Sequence, residues 1–135
     1  MPLRPPVVLI VADDAELMAM YVFGLLAIGF QPVTASTVDE AFTRAHQVRP
    51  EVVVADMMQS TSSAVNLTRR LRADPVTSDA AILILTDRPG PTGPSAFGAG
   101  CDRIVLKPCY PDALALAIQE TLAARRIQPP PEPID

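Results

Sequence analysis

A chain of 135 residues, 49% hydrophobic and 19% charged, holds enough apolar surface for one core and too little for two ordinary domains. Its net charge of −4, with no basic run beyond Arg69-Arg70 and Arg125-Arg126, lacks the electrostatic footprint of a nucleic-acid binder, so no direct nucleic-acid contact is expected. The single histidine, His46, excludes a His-based metal cluster, and in its polar helix-like segment it is expected to be solvated and without a role.

Residues 1–6, Met1-Pro2-Leu3-Arg4-Pro5-Pro6, form a short extension that runs straight into a strand-like stretch and carries no apolar segment of the secretory kind. No apolar run approaches the roughly 20 residues of a membrane span, so a cytoplasmic protein with no membrane segment is expected. Runs rich in Val, Ile and Leu at 7–12, 52–55, 81–85 and 104–106, with a weaker one at 31–34, read as strands. Between them, Leu17, Met20, Tyr21 and Leu25, then Val38, Phe42 and Ala45, then Leu67 and Leu71 keep helical spacing. Continuous apolar strands need cover on both faces, and intervening helices supply it, which predicts an α/β doubly wound fold on a five-stranded parallel sheet.

After Thr86 the chain reads Asp87-Arg88-Pro89-Gly90-Pro91-Thr92-Gly93-Pro94, where prolines and glycines predict a short or degenerate fourth helix. A last helix is expected from about residue 111 to 126, with Pro111 in its first turn and Leu114, Ala117, Ile118 and Leu122 on its buried face. Cys101 and Cys109 stand on either side of a strand and are expected as reduced thiols. Residues 128–135 read as a Pro-rich tail or the start of a linker, which leaves residues 7–127 as the domain.

In an open parallel sheet, functional groups gather beyond the carboxyl ends of the strands. Asp13 and Asp14 follow the first strand, Asp56 the third, Thr86 the fourth and Lys107 the fifth. Three carboxylates drawn together repel unless a cation is shared, and hard oxygen donors suit Mg2+ better than Zn2+. A lysine and a hydroxyl beside them are suited to hold the oxygens of a transferring phosphoryl group. Each residue also has a plain explanation: a lone Asp or Thr often caps a helix or turn, and Asp13-Asp14 could cap the first helix.

The five positions together resemble the receiver domains of bacterial response regulators. The acidic pair after Val-Leu-Ile-Val-Ala, Asp56 after Val-Val-Val-Ala, Thr86 after Ile-Leu-Ile-Leu and Lys107-Pro108 after Ile-Val-Leu stand in that family's order. Further similarity lies in Arg69-Arg70-Leu71-Arg72-Ala73-Asp74-Pro75 and Ala99-Gly100-Cys101-Asp102, so the resemblance covers about residues 7 to 126. It implies a flavodoxin-like (βα)5 receiver fold with Asp56 as phosphoacceptor. It further implies Mg2+ held directly by Asp14, Asp56 and the backbone carbonyl of Met58 and through water by Asp13. Thr86 and Lys107 would bind the aspartyl phosphate, and a cis Lys107–Pro108 peptide is implied as well. Such a domain catalyses only its own phosphoryl transfer and dephosphorylation, takes the group from a sensor histidine kinase or histidine phosphotransfer protein, and controls a downstream protein target or a homodimer.

The chain departs from that family in several places. Ile104 stands where signalling receivers usually carry an aromatic that turns inward on activation, and a branched aliphatic gains less from such a move. Asp87 replaces a small residue, Ser60 and Ala64 stand where Pro and Gly are common, and Cys109 takes the place of a common Phe. Retained acids with an altered switch imply an unconventional output. The alternative is a pseudo-receiver that mediates protein interactions without phosphate. A flavodoxin-like enzyme or nucleotide binder fits poorly, because Asp13-Asp14-Ala15-Glu16 would repel an anion where a glycine-rich phosphate loop would lie.

Overall fold

The computed structural model describes residues 5–56, 61–87 and 89–127. Strands β1 (Val7–Ala12), β2 (Gln31–Ala35), β3 (Val52–Asp56), β4 (Ala81–Thr86) and β5 (Arg103–Leu106) alternate with helices α1 (Ala15–Ile28), α2 (Val38–Val48), α3 (Thr61–Ala73), α4 (Pro89–Ala99) and α5 (Pro111–Ile127). The strands form one sheet in the order β2-β1-β3-β4-β5, every neighbouring pair parallel. The expected doubly wound α/β architecture is therefore present. Among the described residues, no helix is long and apolar enough to cross a membrane.

Strands β1, β3 and β4 are buried along their whole length, because successive side chains face opposite sides of the sheet and both sides are covered. Leu9, Val11, Val53, Ala55, Ile82 and Ile84 face Ala41, Ala45, Leu67, Leu71, Ala96 and Ala99 of α2, α3 and α4. Val8, Ile10, Val52, Val54, Leu83 and Leu85 face Tyr21, Leu25, Leu114 and Ile118 of α1 and α5. The weaker strand β2 lies at the sheet edge, where Pro32 is tolerated because an edge strand leaves part of its backbone unpaired. Ile104 is half-buried against the first of these two cores.

The fourth helix corrects the reading of its segment as short or degenerate: α4 has 11 residues, as many as α2. Pro89 and Pro91 fall in its first turn, where N–H groups have no partner within the helix, so their missing donors cost nothing there. Only Pro94 stands inside the helix and forgoes a bond, while Ala96 and Ala99 anchor α4 in the core.

Two motifs that looked separate in the sequence are joined by one side chain. Arg72 donates from Nε to the carbonyl of Gly100 (2.9 Å), from Nη1 to those of Ser78 (2.7 Å) and Ala80 (2.6 Å), and from Nη2 to Asp102 (2.8 Å). Asp102 also accepts from Arg125 and from the backbone of Ile82, so α3, α5 and the approach to β5 meet at the amino end of the sheet. Cys101 and Cys109 are both buried free thiols, and burial pushes the Cys101 thiol up to about 11.

His46 also departs from expectation. Its Nδ1 lies 2.9 Å from the carbonyl of Phe42 and its Nε2 lies 2.9 Å from Asp74, so it joins α2 to the end of α3 rather than standing free in solvent. Both ring nitrogens meet acceptors, which only the imidazolium can satisfy together, and the His46 pKa is accordingly raised.

Candidate functional site

The sheet register brings the site together. Asp56, the last residue of β3, pairs with Ala12 of β1, so it lies beside the point where β1 gives way to Asp13 and Asp14. Thr86, the last residue of β4, pairs with Leu106 of β5, and its carbonyl accepts a hydrogen bond from the Lys107 backbone at 2.9 Å.

At the centre, Asp56 is 0% exposed and Lys107 Nζ donates to its Oδ1 at 2.9 Å. Its Oδ2 is buried and has no hydrogen-bond partner among the described residues. Burial is the main cause that raises the Asp56 carboxyl above the ordinary carboxylate range; the Lys107 hydrogen bond and charge pull it down, and Asp13 and Asp14 push it up. A carboxylate this deep is costly to ionise, and one lysine offsets the cost incompletely.

Asp14 is half-buried and serves as the N-cap of α1, its Oδ1 accepting from the backbone of Glu16 (2.9 Å) and Leu17 (3.1 Å). Both cap bonds fall on the same oxygen, Oδ1. Asp13 is exposed beside it, and Asp87 is exposed as well. Lys107–Pro108 is a cis peptide. Met58, Ser60 and Arg88 lie outside the described residues.

Among the described residues, no group of three acidic, histidine or cysteine side chains is gathered closely enough to enclose a metal ion. The donors nevertheless suit a hard cation: Asp56 Oδ2 is a buried oxygen with no partner among the described residues, and Asp13 and Asp14 lie close enough to act on it electrostatically.

Two residues near the site were not singled out by the sequence. Thr92 of α4 is 2% exposed and its hydroxyl lies 3.4 Å from that of Thr86, itself buried. Tyr21 of α1 donates its hydroxyl to the carbonyl of Cys109 at 2.9 Å, and its pKa is raised by burial and by the charge of Asp56. Helical spacing marked Tyr21 only as a core position, and a threonine inside a Pro-Gly segment gave no signal of burial.

A five-stranded parallel sheet with an acid, a lysine and a hydroxyl at its carboxyl edge defines a receiver-type α/β domain. Residues 8–119 match the family model described as the response regulator receiver domain, and the chain belongs to that family of two-component signalling proteins. It is 31% identical over 124 residues to the phosphate regulon transcriptional regulatory protein PhoB of Escherichia coli, covering 90% of this chain and 53% of that protein. A DNA-binding response regulator, MtrA of Mycobacterium leprae, is 29% identical over 124 residues, covering 90% of this chain and 53% of that protein. The chain thus spans about half the length of the curated relatives it matches, and the expected absence of nucleic-acid contact finds no support for a longer protein of this kind.

Among solved structures, the chemotaxis response regulator CheY4 of Vibrio cholerae superposes with a TM-score of 0.79 at 23% identity, covering 87% of this chain and 98% of that one. A response regulator from Burkholderia pseudomallei, described with a phosphorylated aspartic acid, calcium ion and citrate, gives a TM-score of 0.74 at 24% identity, covering 93% of this chain and 75% of that one. Both likenesses concern the fold.

Proposed function

We propose that the domain accepts a phosphoryl group on Asp56, in a Mg2+-dependent reaction, from a sensor histidine kinase or a histidine phosphotransfer protein. The observation that carries this reading is the wholly buried Asp56, held by Lys107 at 2.9 Å through one oxygen while the other has no partner among the described residues. A wholly buried acid with an oxygen unpartnered among the described residues and a lysine on the other suits a nucleophile better than a packing element.

Asp56, Asp14, the Met58 carbonyl and, through water, Asp13 would hold Mg2+, which when bound supplies charge neutralisation for the incoming phosphoryl oxygens. Lys107 moves from Asp56 Oδ1 to a phosphoryl oxygen as the new P–O bond to Asp56 forms and the P–N bond to the donor histidine breaks, releasing the donor's imidazole. Thr86 donates its hydroxyl to another, and its neighbour Thr92 lets α4 sense the change. Ile104, already packed on the core, contributes less to that transmission than an aromatic would. We place the domain in the cytoplasm, where both buried thiols stay reduced, with residues 1–6 as an extension, 7–127 as the receiver and 128–135 as a tail or linker toward an output region. Any nucleic-acid contact would belong to that region, and a protein target or homodimer to the receiver.

The test is intact mass after incubation with a small phosphodonor, with and without Mg2+, for the native chain and Asp56→Asn. A Mg2+-dependent gain of one phosphoryl mass that is absent in the variant supports the reading. A folded native chain that gains nothing would leave a phosphorylation-independent interaction domain.

A further inference from the structure

We infer that Tyr21 is a positioning residue for Lys107, its hydroxyl tying α1 to the backbone that carries the lysine; the inference rests on the phosphoacceptor reading. The tie spans 88 positions in sequence: Tyr21 donates to the Cys109 carbonyl at 2.9 Å, two residues beyond Lys107. The ring is 1% exposed, in the same apolar cluster as Cys109. A phenylalanine would fill such a place without bringing a polar group into it, so the hydroxyl is tolerated because it is bonded.

A second contact lies one helical turn on. Gly24 approaches Pro111 so closely that an added Cβ would lie 2.2 Å from the Pro111 Cβ. Helix α1 therefore grips the segment after β5 at two points, Cys109 and Pro111. That helix starts directly after Asp13 and Asp14 and is capped by Asp14, so Tyr21 links the acidic side of the site to its lysine side. The charge of Asp56 also acts on the phenol and, with burial, keeps it protonated and able to donate.

The link has a chemical use. A lysine stem has many rotamers, and its ammonium must leave Asp56 Oδ1 and follow a phosphoryl oxygen without losing its aim. Fixing the backbone from which the stem departs narrows that search, and small misplacements of a catalytic group are expensive. Tyr21 touches neither the donor nor the phosphoryl group and acts through Lys107.

The experiment is a double-mutant cycle on phosphoryl uptake from acetyl phosphate with Mg2+, followed by intact mass, using Tyr21→Phe in the native and Lys107→Ala backgrounds. Tyr21→Phe should slow uptake about tenfold beside Lys107 and less than about twofold without it, because its effect passes through that lysine. Hydrogen exchange at the amides of Lys107, Cys109 and Tyr110 should quicken while that of β1 and β3 does not. Equal slowing in both backgrounds, or no slowing in either, would overturn the inference. If the native chain takes up no phosphoryl group, the phosphoacceptor reading fails, and exchange alone then judges the tie: unchanged amides refute it.

Discussion

The pairing of Asp56 with Lys107 predicts an asymmetric response to losing either partner. Asp56 is 0% exposed with one oxygen unpartnered among the described residues, whereas the Lys107 side chain is 21% exposed and can turn to water. Asp56→Asn removes a charge whose ionised form the fold disfavours, and it should stabilise the chain by about 1–2 kcal/mol at pH 7. Lys107→Met strands the carboxylate. A fully buried pair broken on one side costs about 3–5 kcal/mol, and the partial exposure of Lys107 reduces this to roughly 2–3 kcal/mol. At a urea m-value of about 2 kcal/mol/M this shifts the midpoint by about 1 M or slightly more. The double variant should lie close to Asp56→Asn alone, because no buried charge then remains.

The pH dependence fixes the sign. The folded pKa of Asp56 lies above its unfolded value, so the native state keeps the proton longer, and stability falls as pH rises between the two values. Without Lys107 that window widens upward, so the penalty of Lys107→Met should be smaller at pH 5 than at pH 8. Urea midpoints of the four proteins, measured across that range with a chelator present, decide the matter. Destabilisation by Asp56→Asn, or coincident curves for native and Lys107→Met at pH 8, would refute the argument.

If Asp56 helps to hold Mg2+, adding the ion at about 100 times its dissociation constant should stabilise the native chain by about 2.7 kcal/mol in thermal melts and leave Asp56→Asn nearly unmoved. Gly24→Ala should destabilise by about 1–3 kcal/mol, since the 2.2 Å approach to Pro111 outweighs a helix-propensity gain of about 1 kcal/mol. Gly98→Ala in α4, where an added Cβ meets nothing within 4 Å, should instead stabilise by up to about 1 kcal/mol; urea titrations compare the two. Arg72→Met strands the three carbonyls it binds and should cost about 3 kcal/mol by the same method. The His46–Asp74 contact should stabilise fully below the unfolded histidine value of about 6.5 and fade as pH rises through the raised folded value. At low pH it fades again, as Asp74, whose pKa is lowered, takes up a proton. His46→Phe should flatten the melting temperature against pH over the upper window.

The strands were legible because burial on both faces leaves its mark in composition alone: nothing polar interrupts Val7–Ala12, and in Val52–Asp56 only the last residue is polar. Asp56, Thr86 and Lys107 were legible as a group for a related reason, since each ends its strand or directly follows it. What escaped depends on partners remote in the chain. His46 cannot announce Asp74, 28 residues away, and Tyr21 satisfies the helical spacing of a core residue whether or not its hydroxyl finds Cys109. The fourth helix is not legible from its proline content, because position and not number decides what a proline costs a helix. Two of the three fall in the first turn, where a missing N–H removes no bond, and the core contacts of Ala96 and Ala99 carry the rest.

Local pattern and tertiary packing agree along β3 until its final residue, and there they part. An apolar side chain at position 56 would continue the burial of Val52, Val53 and Val54 at no electrostatic cost, whereas Asp56 keeps an oxygen without a partner among the described residues. Lys107 offsets only part of that cost, as the raised carboxyl pKa records. Any cation or phosphoryl group that met the free oxygen would therefore find its binding strengthened by the relief of an existing penalty, which couples occupancy of the site to the stability of the sheet edge and of α1 and α4 beside it.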